Sequence, residues 1–456
     1  MKRLLVILFI LIVNKVFSQT ENVQYYQDYM QACELISCKY IYLERKLDIA
    51  RENFLQDRKK YANSIQWDNE QFINEIRNLR CLFPDGHFSW RISKELSPFD
   101  GFYTLGFVCT FSDDSLLIVK KSYPYYNHII QTNDTVTYIN GVEAIEYIKD
   151  LGQKDPQSTL HATLEVAARN LTLIKYFSPT SNNITDTEIQ IKNGERIEKH
   201  KFIWKRCGLT SDISEAINND QLLLVQRNGY LSTEEIPTIT FTIHPSFYLY
   251  SKKIDSLNIS ILHIRDFSGW NANHIDTIIG KVLEVNPDFL LIDLKDCAGG
   301  SFNNLLFLSH ALNLTKSYEF FYDIITNEKK RFSGVSNFDF ISEKIEIKNK
   351  WKGKVIVRAN EICGSACDFF IRHLKVNNRA IIVGTAPAGR GGGTDSFVLK
   401  NTQTEISFPL RERIPVDYLK SIESDVMKID YYSEKEISGL IIDLMRERII
   451  TPHNTQ

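Results

Sequence analysis

The stretch Lys354-Val355-Ile356-Val357-Arg358-Ala359, followed closely by Cys363-Gly364-Ser365-Ala366-Cys367-Asp368-Phe369-Phe370, decides how this chain is read. Its first six residues are a short, largely apolar run suited to a buried strand, whereas Phe369, Phe370, Leu374 and Val376 recur at roughly helical spacing. Ser365 therefore stands where a strand turns through glycine into a helix, a place where helix-end N–H groups can receive an anion. Two readings are open at this point. Serine is a preferred N-cap, and a hydroxyl presented on such a turn is also a nucleophile candidate that needs a base and an oxyanion site elsewhere.

Working outward, Phe289-Leu290-Leu291-Ile292-Asp293-Leu294 is a second apolar run, and it leads through Lys295-Asp296-Cys297-Ala298 into Gly299-Gly300. Consecutive glycines let backbone N–H groups approach a ligand, as an oxyanion hole requires, although a β-to-α loop needing positive φ uses them equally well. Residues 259 to 264 and 380 to 383 supply further central-strand candidates, each separated by enough chain for a crossover. These runs predict an α/β core over residues 206–456.

The preceding segments differ in character. Residues 19–95 carry Tyr29, Cys33, Ile36, Tyr40, Leu43 and Leu47 at three- and four-residue steps and read as a helical region. That region ends at Pro84-Asp85-Gly86-His87-Phe88, a turn signal followed by a histidine among aromatics. Residues 96–205 hold short β-like runs, including 102–108 and 115–119, and a strand from Asn133 that closes at Asn140-Gly141. This pattern resembles a PDZ-like module, whose groove accepts a peptide as an added strand. Met1-Lys2-Arg3 and the apolar run from Leu4 to Val13 read as a secretory signal cleaved after Ser18, because about ten apolar residues fall short of the ~20 a membrane span needs. The expectation is an exported, periplasmic or secreted protein with no stable membrane insertion after cleavage.

Of the 456 residues 43% are hydrophobic, enough for about two or three domains with buried cores. Against 56 Asp plus Glu stand 54 Lys plus Arg, so the net charge of −2 gives no case for nucleic acid or an anionic membrane as partner. Export would permit disulfides among the eight cysteines, with Cys33 and Cys38 or Cys363 and Cys367 as local options and lone buried thiols as the alternative. No Cys-x-x-Cys pair or partnered His pair occurs, which argues against zinc, and no cofactor is expected.

Asp-Gly-His at 85–87, Asp-Cys-Ala-Gly-Gly at 296–300 and Gly-Ser-Ala-Cys-Asp at 364–368, in this order, resemble the tail-specific or C-terminal-processing serine peptidase family. That resemblance implies a crotonase- or ClpP-like α/β core of βαβ units, peptide or protein substrates and a Ser365 nucleophile. One branch of the family uses a lysine base in a Gly-Lys-Gly turn, but here the turn is Gly389-Arg390-Gly391, and an arginine cannot be deprotonated. The other branch, similar to tricorn protease and interphotoreceptor retinoid-binding protein, takes its base from a histidine, and His87 matches that position. It implies Glu423, in Ile422-Glu423-Ser424-Asp425-Val426, as the third member, with Ser424 where the family has proline, and the N–H groups of Gly299, Gly300 and Ala366 as the oxyanion site. Gly86 replaces the serine that precedes the histidine in tricorn, which leaves a Ser/His/Glu triad, and Arg390 is left as a substrate or loop contact. The alternative on the same fold is an inactive protein that binds peptides or hydrophobic ligands.

Overall fold

A computed structural model describes residues 23–96, 101–112, 116–122, 129–176, 186–207, 241–244, 246–314, 318–323, 328–331, 347–415 and 421–451. The expected signal at 1–18 lies outside them. No helix among the described residues is long and apolar enough to cross a membrane.

The apolar runs around Ser365 become the middle of a seven-stranded sheet, in the order Phe241–His244, Phe247–Ile254, Leu257–Ile264, Phe289–Asp293, Lys354–Ala359, Ile381–Gly384, Tyr431–Tyr432. The first three strands are joined antiparallel, and from Leu257–Ile264 onward every pairing is parallel. Strands in a parallel sheet are covered on both faces, which is why Phe289–Asp293 is buried along its whole length and its sequence shows no polar alternation. Helices Ala272–Val285, Phe302–Ala311 and Ala366–Val376 share a core with one face, while Ile437–Arg446 packs on the other. The first of these helices starts at a capping box between Asn271 and His274 and ends at Asn286 in the left-handed region.

Ahead of this core, helices at 23–39, Leu43–Leu47, Arg51–Ala62 and Asn69–Cys81 follow the predicted periodicity. Their apolar faces do not close on themselves. Tyr29, Tyr40, Phe72, Phe83 and Phe88 form one buried cluster with Leu399, Ile406, Phe408 and Leu410 from the far end of the chain. Strand Ser89–Arg91 pairs antiparallel with Glu405–Pro415, and the Asp28 carboxylate accepts the N–H groups of Asn401 and Thr402. This joint carries the Asp85-Gly86-His87 turn to the α/β core.

Between the two, a six-stranded sheet built from Phe107–Phe111, Leu117–Ser122, Thr135–Ile139, Val142–Glu143, Thr187–Asn193 and Arg196–Phe202 packs with helices Ala144–Gln153 and Leu160–Asn170 over its own core. The Asn140-Gly141 turn has φ of 50° and 79°, the left-handed pair that a two-residue hairpin requires. The run 102–108 is not one strand. Gly106, at φ 83°, breaks it, so that Gly101–Thr104 joins a separate three-stranded sheet with Leu173–Tyr176 and Lys205–Cys207.

Cys33, Cys38, Cys81, Cys109, Cys297, Cys363 and Cys367 are free thiols. Cys363 and Cys367 are therefore not bridged around the serine, nor Cys33 with Cys38; Cys363 Sγ instead donates to the Leu294 carbonyl at 3.0 Å.

Candidate active site

Ser365 follows strand Lys354–Ala359 and opens helix Ala366–Val376. It occupies the N-cap position without capping through its side chain, which accepts no hydrogen bond from the first turn, and its backbone lies at φ 53°, ψ −129°. A non-glycine residue held at positive φ is strained, and such strain persists only where the surroundings impose it. Here the imposing contact is close. A Cβ placed on Gly299 would lie 2.6 Å from Ser365 Cβ and 3.0 Å from the Ala366 nitrogen. Only glycine fits, and its φ of 113° demands the same.

The glycine loop is held from behind. Gly299 O accepts from Phe267 N at 2.8 Å, Phe267 O accepts from Ser301 N and Asn304 Nδ2, and Cys297 O accepts from Gly364 N at 3.3 Å. Among the described residues, no acceptor takes the N–H of Gly299, Gly300 or Ala366. Asp296, at the start of the loop, bonds Asn360 and pairs with Arg169 Nη2 at 2.7 Å. Burial works to raise its pKa, but Arg169, Lys120 and Lys295 hold its carboxyl far below the usual range. Arg169 belongs to helix Leu160–Asn170 of the β-rich module and also binds Glu165, so a buried ionic cluster couples that module to the loop beside Ser365.

His87 and Glu423 come together. Ligand atoms of Asp85, His87 and Glu423 all lie within 4.8 Å of one another. Asp85 is fully buried and accepts from Tyr40 Oη and from the His87 backbone N–H, each at 2.8 Å. Glu423 accepts from Lys46 Nζ at 2.6 Å and from Gly391 N at 3.0 Å. Burial, then the Asp85 charge, push the Glu423 carboxyl up to about 8 against the pull of Lys46. Burial and Arg390 lower the pKa of His87, leaving its imidazole neutral near pH 7. Neither ring nitrogen of His87 has a hydrogen-bond partner, so the link to Ser365 is open in this structure. Catalytic hydrogen bonds commonly tighten only once substrate is bound.

Cysteine and histidine spacing had argued against a metal, yet this carboxylate and imidazole group has a spacing that an ion could share. Its chemistry fits one poorly. All four carboxylate oxygens already accept hydrogen bonds, and Lys46 places a positive charge where a cation would sit.

Arg390 lies between the two halves of the site. A Cβ on Gly86 would run into Arg390 Nε, and one on Gly364 would come 2.7 Å from Arg390 Cδ. A side chain at position 86 would therefore have to displace Arg390. Arg390 Nη2 donates to Gln157 Oε1 at 2.8 Å, which gives this side chain a loop-bracing contact. The backbone of the same loop is held by Asp368, whose Oδ2 accepts from Gly389 N and Arg390 N while Oδ1 accepts from Arg372 Nε. Arg372 continues to the Asp425 side chain and carbonyl. Sequence reading missed Lys46, Asp368, Arg372 and Arg169 as parts of this site. Asp368 stands in the serine motif itself and carried a signal, whereas Lys46 and Arg169 carried none.

A family model described as peptidase family S41 matches residues 258–426. Mature CPAF complexed with lactacystin is similar in fold, with TM-score 0.66, 16% identity, and 94% of this chain and 98% of that chain covered. The photosystem II D1 C-terminal processing protease is similar with TM-score 0.51, 10% identity, and 91% and 94% covered. No curated protein matches the sequence. The matched segment contains the Gly299-Gly300 loop, Ser365, Arg390 and Glu423, and over it the chain is similar to the serine-type peptidases of family S41.

Proposed function

We propose that this peptidase is an exported endopeptidase that cleaves its peptide or protein substrates through Ser365, His87 and Glu423. The observation that carries the reading is the strained, uncapped Ser365 turn, pressed against Gly299 next to unclaimed N–H groups. Ser365 Oγ attacks the peptide carbonyl and forms the tetrahedral intermediate, while neutral His87 takes its proton. The oxyanion is received by the N–H of Ala366 with that of Gly299 or Gly300, and each such donor contributes on the order of 3 kcal/mol. Glu423, ionised, stabilises the imidazolium. His87 returns the proton to the leaving amine, and water then hydrolyses the acyl-enzyme.

Arg390 supports this route over a serine and lysine dyad, because a guanidinium does not serve as a base. The basic Met1-Lys2-Arg3 and the apolar run from Leu4 to Val13 support export. The test is covalent labelling by a serine-reactive phosphonate. The wild type should label, while Ser365→Ala and His87→Ala should not; label that persists in both variants sinks the assignment. A wild type that is inert yet binds peptides would return the ligand-binding alternative.

A further inference from the structure

Lys46 lies on the short helix Leu43–Leu47, in the region farthest in sequence from Ser365, and its side chain is 6% exposed. Its ammonium has three protons to donate, and three acceptors receive them, each at 2.6 Å: Glu423 Oε1, Ser424 Oγ and the Pro84 carbonyl. Pro84 begins the turn that carries Asp85 and His87. One cation thus ties together the two segments that hold His87 and Glu423.

We propose that Lys46 is a positioning residue of the peptidase site, whose ammonium favours the carboxylate form of Glu423 and fixes that group against the His87 turn. The proposal rests on the Ser365, His87, Glu423 reading given above. The need for a cation follows from what surrounds Glu423. Asp85 and His87 face it from the turn, Tyr40 and Tyr42 from the link between the first two helices, and Arg390 with the Gly391 N–H from the glycine loop. On its own segment, Asp425 is taken by Arg372. Among these described groups only Lys46 is a cation bonded to the Glu423 carboxylate, since the Arg390 guanidinium turns to Gln157. Two buried carboxylates without a cation share a proton, and a protonated Glu423 no longer stabilises a histidinium.

The experiment is the second-order rate of labelling by a fluorophosphonate across pH 6 to 10, on the full chain, for wild type, Lys46→Met, Lys46→Arg and Glu423→Gln. In Lys46→Met the rising limb should move alkaline by about one unit, so that labelling on the limb falls roughly tenfold and recovers toward wild type at the highest pH. Lys46→Arg, which keeps the charge, should return the limb toward its wild-type position. A Lys46→Met protein that labels as fast as wild type overturns the proposal, as does a loss equal at every pH with the limb unmoved. Lys46→Gln carries the same comparison if the methionine variant is unstable. Glu423→Gln separates the two readings. Wild-type labelling in that variant removes the triad acid itself, whereas impaired labelling there with an unmoved limb in Lys46→Met removes only the role of Lys46.

Discussion

Ser365 and Glu423 show how much of a side chain's chemistry is set by its surroundings. A serine at a helix start would ordinarily cap it, but Gly299 packs against Ser365 Cβ and the backbone is held at φ 53°, so the hydroxyl is not engaged with its own helix. Glu423 would ordinarily be ionised above its usual 4.5; burial and Asp85 bring it to about 8. His87 moves the other way, its pKa lowered by burial and Arg390. The signs combine into a pH prediction. The base is neutral through the physiological range, so the group that must still lose a proton as pH rises is Glu423, and phosphonate labelling should increase through about pH 8. Glu423→Gln should abolish that limb and lower the rate by about 10⁴, the scale seen when the corresponding amide replaces a triad carboxylate. A limb near the ordinary histidine value of 6.5 would show that His87, not Glu423, limits the reaction.

At the scale of elements, helix Ala366–Val376 does more than follow the serine. Asp368 and Arg372, one turn apart and both 0% exposed, hold the backbone at Gly389 and Arg390 on one side and Asp425 on the other. Asp368→Ala leaves Arg372 without its buried partner and releases two backbone N–H groups, which should cost about 3–5 kcal/mol in urea denaturation. A loss below 1 kcal/mol would mean that water or Asp425 replaces Asp368. Legibility in sequence also varied by element. The central strands were readable because a strand covered on both faces is apolar throughout, and Asn140-Gly141 was readable because few residues tolerate its dihedrals. The run 102–108 was misread as continuous, because a single glycine does not reveal that the chain passes from one sheet to another.

For the whole molecule, the decisive joint is the core shared by the first helices and the strands near 400. Phe408 is fully buried and stacks on Phe88 and Phe397, with Tyr40 edge-on. Phe408→Ala should therefore cost about 3–5 kcal/mol and should expose residues 23–91 to limited proteolysis before the central sheet. Simultaneous cleavage of both regions would show that they unfold as one unit. The ionic cluster of Arg169 with Asp296 makes a second long-range joint, through which the β-rich module braces the Gly299-Gly300 loop. By itself the sequence determined what local sterics and burial on both faces dictate: the central strands, the helix periods, the turn glycines, and the serine and histidine motifs worth following. Only the tertiary structure decided that Ser365 does not cap its helix, that Arg390 fills the space a side chain on Gly86 would need, and that Lys46 bonds Glu423. The reason is physical. Backbone preferences act over a few residues, whereas ion pairing and desolvation depend on distances fixed only when separate apolar faces close on one another.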